Sequence, residues 1–302
     1  MFVLVNGRQV ASTAAERMVA IENRIERLEG KIARGERFTE PAEDPAGQLR
    51  AAALARLDAR LVAEQRGIDR ASGRLALAET AVTDAGRVLV RARELALLAR
   101  NGTMGPSDRA VIAAEVRGLK EQLLVLANSR DEAGRYLFAG ARDGLPAYAA
   151  DADGVVTFEG FGAGPGAEAA GIEGLAPPPG PALFGSDEEG AFAVLDRLLE
   201  LLAEPDEALR HEGLDTAIAD LIAGHDRLMA GQAIIGTAMA RLESETERVA
   251  AGRLEVARGL ASVKGLDLAA AFSELEALRL TLNAAQQVFP RVHGTSLFDR
   301  LG

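Results

Sequence analysis

Leu54–Ala99 reads LARLDARLVAEQRGIDRASGRLALAETAVTDAGRVLVRARELALLA, and its periodicity decides the fold. Leu54, Leu57, Leu61, Ile68, Ala71, Leu75, Ala78, Val82, Ala85, Leu89, Ala92, Ala96 and Ala99 recur at alternating steps of three and four, with only Glu64 off the pattern. Such spacing keeps one helix face against a partner over many turns, so the stretch is a heptad seam and not the short stripe of a globular-core helix. A helix from Pro45 to Arg100 would be about 80 Å long.

The flanks carry start and stop signals. Asp44 and Pro45 open the helix as N-cap and first helical residue, and Asn101-Gly102, which tolerates the left-handed conformation, closes it. After Pro106 a helix capped by Ser107 or Asp108 returns antiparallel, with Ile112, Val116, Leu119, Leu123 and Leu126 as its buried stripe. Upstream, Thr13-Ala14-Ala15-Glu16 has capping-box spacing. It predicts a helix starting near Ala14, with a seam of Met18, Ile21, Ile25, Leu28 and Ile32 ending at a Gly35 cap.

Residues 134–190 hold six of the eleven prolines and thirteen of the thirty-two glycines, which sets them apart from the helical segments. Tyr136-Leu137-Phe138 and Val155-Val156-Thr157-Phe158 read as short strands, Asp153-Gly154 as a hairpin turn, and residues 162–181 as largely loop. Helical periodicity returns at Ala191 with Phe192, Leu195, Leu198, Leu199 and Leu202, and breaks at Pro205. It runs on through Met239, Leu242, Thr246, Val249, Arg253, Val256, Leu260 and Val263 to Gly265. Asp267 is a fresh cap, and Leu268, Phe272, Leu275, Leu278, Leu282 and Phe289 carry a last seam to Pro290.

A chain with helices at both ends and β structure between brings its termini side by side, so 18–32 and 268–289 are expected partners. The expected class is mainly α: a long antiparallel coiled-coil bundle made from both halves, with a small β-rich insert. Its segments are 1–44 (N-terminal helix and connection), 45–133 (helical hairpin), 134–190 (insert), 191–265 (returning helices) and 266–302 (C-terminal helix and tail). The helices at 107–127 and 226–263 are expected to cover the long seam.

Composition narrows the function. Lys and Arg number 34 against 45 Asp and Glu, interspersed along the helices, which argues against a phosphate-tracking surface and hence against nucleic acid. No apolar run reaches the roughly 18–20 residues that span a bilayer, and Phe2-Val3-Leu4-Val5 is too short for a secretory leader, so neither membrane insertion nor a cleaved signal peptide is expected. The absence of cysteine removes thiol catalysis and thiolate metal sites. His211, His225 and His293 stand alone, and Asp187-Glu188-Glu189 lacks the order of a calcium loop. No catalytic residue, cofactor or metal is therefore expected.

Four motifs resemble the bacterial flagellin superfamily. The connection Arg34-Gly35-Glu36-Arg37-Phe38-Thr39-Glu40-Pro41-Ala42-Glu43-Asp44-Pro45 is similar to its glycine, basic, hydrophobic, then proline-acidic-acidic-proline loop, with Glu36 where a basic residue is usual. Arg93-Glu94-Leu95-Ala96 followed by Asn101-Gly102-Thr103 fits the same pattern. The stretch from Asn128 to Gly140, and the end Ser296-Leu297-Phe298-Asp299-Arg300-Leu301, resemble the members that sit between hook and filament.

The resemblance implies a structural, non-enzymatic flagellar subunit that self-assembles into the junction ring between a neighbouring hook-associated protein and the flagellin filament. It also implies an export chaperone and an extracellular location. The terminal seam residues Met18, Ile21, Ile25, Leu28, Ile32, Leu268, Phe272, Leu275, Leu278, Leu282 and Phe289, with Leu297 and Phe298, would form the assembly interface. Gly35, Arg37, Phe38, Pro41, Asp44 and Pro45 would form the inter-helix loop, while Arg135, Tyr136 and Phe138 would anchor the insert to the bundle. The alternatives are flagellin itself and a secreted coiled-coil binding protein that does not polymerise.

Overall fold

A computed structural model describes residues 2–38, 40, 42–101, 104–161, 175–185 and 190–298. The described elements are helices α1 (Phe2–Arg34), α2 (Pro45–Ala99) and α3 (Pro106–Ala127), strands β1 (Tyr148–Ala150) and β2 (Val156–Phe158), and helices α4 (Gly180–Phe184), α5 (Ala191–Ala203), α6 (Glu207–Lys264) and α7 (Leu268–Phe298). The mainly α class with a small β region is as expected. The chain divides into two compact units, one of residues 1–60 and 252–302, the other of residues 61–251.

In the second unit α2 and α6 pack antiparallel. Glu64 meets Arg248, Thr83 meets Gln232, and Arg100 meets Asp215, so contacts that advance along α2 recede along α6. On α2, Leu61, Ile68, Leu75, Val82, Leu89 and Ala96 are buried at strict steps of seven, and Ala71, Ala78, Ala85, Ala92 and Ala99 fill the intervening positions. On α6, Leu214, Leu221, Leu228, Ile235, Leu242 and Val249 repeat the first set, with Ala217, Gly224, Gly231 and Ala238 between them. A large residue facing small ones lets the helices approach closely and still fill space. The expected seam on α2 therefore holds from Leu61 onwards, whereas Leu57 is exposed. Glu64 breaks the pattern at no cost in unpaired charge, because Arg248 neutralises it.

Several local expectations are corrected. On α6, Leu242, Val249 and Val256 are buried, but Arg253 is on the surface, paired with Asp58 at 3.3 Å within the first unit. The intervening seam positions are Ala238 and its heptad relatives, whose small side chains give little apolar signal. Helix α1 starts at Phe2 and passes through Thr13 unbroken, so the expected start near Ala14 is absent. A capping box acts only where the preceding backbone has left the helix. Helix α3 is capped by Gly105, not Ser107 or Asp108. Pro106 occupies the first helical position, and Asp108 reaches back to accept the Gly105 N–H at 3.0 Å. Helix α7 continues past Pro290 to Phe298.

Helix α3 returns along α2, where Arg91 pairs with Glu115 at 2.7 Å, and α5 covers α3, with Arg109 donating to the Leu202 carbonyl at 3.2 Å. Its stripe is buried at Ile112, Val116 and Leu123 and half-buried at Leu119 and Leu126. Gly118 lies on the opposite face with open space around the position of a Cβ. Gly118→Ala is therefore expected to stabilise the second unit by about 0.5–1 kcal/mol, through lower entropy of the unfolded chain, read as a higher urea midpoint.

Among the described residues between α3 and α5 there is one antiparallel hairpin, with Tyr148 opposite Phe158 and Ala150 opposite Val156. Asp151 closes its turn by accepting the Asp153 and Val155 N–H groups, and Gly154 takes φ +83°. The hairpin agrees with the Asp153-Gly154 turn, but the partner strand is Tyr148–Ala150. Tyr136-Leu137-Phe138 is no strand. Residues 136–139 are all buried, so the alternation of a sheet face is missing, and the segment makes only isolated bridges, Arg130 to Tyr136 and Gly140 to Phe161. Residues 162–174 and 186–189, which include most of the expected loop and the acidic run, lie outside the described residues.

Candidate functional site

The first unit pairs the two terminal helices, α1 and α7. Leu28, Ala271 and Leu275 form its buried cluster, with Ile25, Ile32, Leu266 and Leu278 packed against it. Met18, Ile21, Leu282 and Phe289 are half-buried. Arg24 with Glu274 and Arg279 with Glu29 flank the seam at 2.5 and 2.7 Å. Leu268 and Phe272, expected in the same seam, stand outside it at 47% and 51% exposure, and Val19, Leu280 and Val288 are also exposed. The side chains of Leu297 and Phe298, in the last turn of α7, lie outside the description.

The connection between α1 and α2 is ordered by several short-range devices. Gly35 takes φ +68°, the left-handed region that a side chain disfavours, and ends α1. Phe38 is buried, with the Arg37 guanidinium over its ring at 5.6 Å, and Arg37 pairs with Asp44 at 2.6 Å. Asp44 caps α2 by accepting the Gly47 N–H at 2.8 Å, ahead of Pro45 at the helix start. That hydrogen bond and the Arg37 charge hold its carboxyl below the usual range, outweighing desolvation. Gly47 is needed here, since a Cβ would lie 2.5 Å from Asp44 Oδ2 and 2.8 Å from the Phe38 ring. Pro41 lies outside the described residues.

This connection also touches the one between α6 and α7. The Arg37 N–H donates to the Lys264 carbonyl at 2.7 Å and the Leu266 N–H to the Gly35 carbonyl at 3.0 Å, with Glu36 opposite Gly265. Glu36, the departure from the family pattern, lies 3.5 Å from Lys264.

In the second unit the residues expected to anchor the insert are brought together. Phe138 is fully buried and meets Phe184 edge-on at 5.7 Å; Tyr148 meets Phe158, Phe184 and Phe192 at 5.3, 5.8 and 5.1 Å. Burial pushes the Tyr148 phenol well above its ordinary range, with the Arg227 charge opposing. Tyr136 lies under the Arg130 guanidinium, 4.3 Å from the ring centre. Arg135 is half-exposed but pairs with Asp131 at 2.9 Å, and Arg74 of α2 lies 3.6 Å from both Asp131 and Asp143. Asn128 extends the sheet edge with its side chain, donating to the Tyr148 carbonyl and accepting its N–H.

Burial raises the Asp131 carboxyl, but the Arg135 N–H and guanidinium and the Arg74 charge outweigh it, so its pKa is lowered. A carboxyl lowered on folding contributes stability above its unfolded pKa of about 3.9, and loses it as pH falls through the folded value. Asp131→Asn is expected to lower the urea midpoint at pH 7 and to flatten the remaining loss of stability below about pH 4.

Among the described residues no group of acids and histidines is placed to hold a metal, and no helix is long and apolar enough to cross a membrane. What the structure presents is a paired terminal segment with apolar side chains left outside, and a helical core braced by an anchored hairpin.

Residues 5–143 match the bacterial flagellin N-terminal helical region. This is the superfamily that the loop and hairpin-exit motifs resemble. Flagellar hook-associated protein 3 of Salmonella typhimurium is 32% identical over 114 residues, which is 38% of this chain and 36% of that protein, so the alignment spans little more than a third of the relative's length. The fold is shared with a flagellar hook-associated protein from Vibrio parahaemolyticus at a TM-score of 0.66 and 16% identity, covering 74% of this chain and 100% of that one. It is also shared with FlgL of Xanthomonas campestris at a TM-score of 0.59 and 17% identity, covering 68% and 98% respectively. The flagellin-type match ends at Asp143, the residue that closes the ion-pair network with Arg74.

Sequence reasoning missed Arg74 and the pairing of the two connections. Asp131 and Arg135 are part of the hairpin-exit motif and could have pointed to a charged brace, but no local signal identifies Arg74, 57 positions before Asp131, as the third member.

Proposed function

We propose that this chain is a structural subunit of the bacterial flagellum, forming the junction ring that connects the hook to the flagellin filament. Its partners are further copies of itself, a neighbouring hook-associated protein and flagellin; it is extracellular and catalyses nothing. The observation that carries this reading is the flagellin-type match over residues 5–143, on a fold shared with hook-associated proteins. Leu268 and Phe272 of the terminal pair, one turn apart on α7 and both exposed, support it, since neighbouring apolar side chains left in water suit a contact with another subunit.

On this reading Met18, Ile21, Ile25, Leu28, Ile32, Leu275, Leu278, Leu282 and Phe289 order the terminal pair, while Leu268 and Phe272 meet neighbouring subunits. The α7 segment before assembly suits a helix-in-groove ligand for an export chaperone. Deleting residues 268–302 is expected to abolish chaperone binding, and unchanged affinity would refute that assignment. Immunogold labelling of intact flagella separates the junction reading from flagellin. Label confined to a band at the hook–filament boundary supports it, whereas label along the filament or none on flagella overturns it.

A further inference from the structure

The terminal helices of the first unit are long, and among the described residues few side chains are fully buried between them. Among the described residues Leu28, Ala271 and Leu275 are buried between them, with Ile25, Ile32 and Leu278 partly buried alongside, and the flanking ion pairs Arg24–Glu274 and Arg279–Glu29 are exposed, a setting in which such pairs contribute little. A second link lies where α1 ends and α7 begins. Arg37 and Leu266 exchange backbone hydrogen bonds with Lys264 and Gly35 across the two connections, and Glu36 faces Gly265.

Each side of this contact is shaped by its own helix. On one side Gly35 turns at φ +68° and the Glu36 N–H donates back to the Lys31 carbonyl at 3.3 Å. On the other the Gly265 N–H donates to the Ala261 carbonyl at 2.7 Å, and a Cβ at Gly265 would lie 2.3 Å from that oxygen. Lys264 with Glu36, and Lys31 with Glu43, add charge pairs around it.

We propose that these two connections form a single clasp, and that the clasp sets the pairing of α1 with α7. Closing it converts two distant helices into neighbours at high effective concentration, so that a seam with few fully buried residues among those described suffices to pair them. Neither terminal helix then leaves the pair while the clasp stands, and both loosen when it opens.

Hydrogen exchange on the full chain tests this with three variants. Gly265→Ala and Gly35→Val break the clasp from opposite sides, and Leu275→Ala weakens the helix seam, against which the Leu266 side chain packs, while leaving the clasp's backbone hydrogen bonds in place. Both glycine variants are expected to raise exchange by about tenfold or more at the Arg37 and Leu266 amides and also in residues 25–34 and 268–278, with residues 61–251 unchanged as evidence of folding. Leu275→Ala is expected to speed exchange within the helices while leaving the Arg37 and Leu266 amides within about twofold of wild type. The proposal is overturned if Leu275→Ala deprotects those amides as much as the glycine variants do. It is equally overturned if the glycine variants leave the helices unaltered, or if both amides exchange at once in the wild-type chain.

Discussion

Phe138→Ala is expected to destabilise the second unit by about 3–5 kcal/mol, the usual cost of emptying a fully enclosed phenylalanine site. The ring has no solvent exposure, and its neighbour Phe184 is equally enclosed, so neither water nor a surface rearrangement can fill the space. The backbone adds to the cost of relaxation, because the Phe138 carbonyl accepts the Gly180 N–H at 2.8 Å and thereby fixes the start of α4. The loss should appear as a lower urea midpoint for the second unit, with faster exchange at the Tyr148 amide held by Asn128. A cost below about 1 kcal/mol would mean that the insert is not anchored through this residue.

Ala85→Leu is the second large effect. Ala85 has no exposure and lies in the row of alanines that lets α6 approach α2. Three added carbons must displace a neighbouring helix or force side chains off their rotamers, at a cost of about 1–3 kcal/mol and occasionally more. Leu57→Ala, on the same helix but at an exposed site, should change stability by no more than about 0.5 kcal/mol. Equal effects from the two substitutions would remove the case for a close-packed alanine seam.

The long helix was legible because its repeat carries both halves of the signal: leucine, isoleucine or valine at one heptad position and alanine at the other. On α6 the second half of the signal is Gly224, Gly231 and Ala238, too small to register as apolar, so the apparent pattern there runs through Met239, Thr246 and Arg253 instead. Tyr136-Leu137-Phe138 looked like a strand because core aromatics and strand residues are the same residue types. Only the burial of four successive residues separates the two. Strand β1 passed unnoticed since alanines flank its tyrosine.

For the candidate site, chain order brings the terminal helices into view as a pair, and Phe138 stands out as an isolated aromatic in a glycine-rich segment. The outward placement of Leu268 and Phe272 was not legible, because a seam list does not say on which side of a short buried cluster each residue falls. The clasp between Glu36 and Gly265 was also invisible. Backbone hydrogen bonds between distant connections leave no trace in side-chain periodicity.

The central claim, a junction between hook and filament, is tested most directly by deleting the gene and imaging the hooks by electron microscopy, with a plasmid copy as control. The account predicts hooks without attached filaments and flagellin shed into the medium, both reversed by the intact copy. Normal filaments on the deletion strain would contradict it.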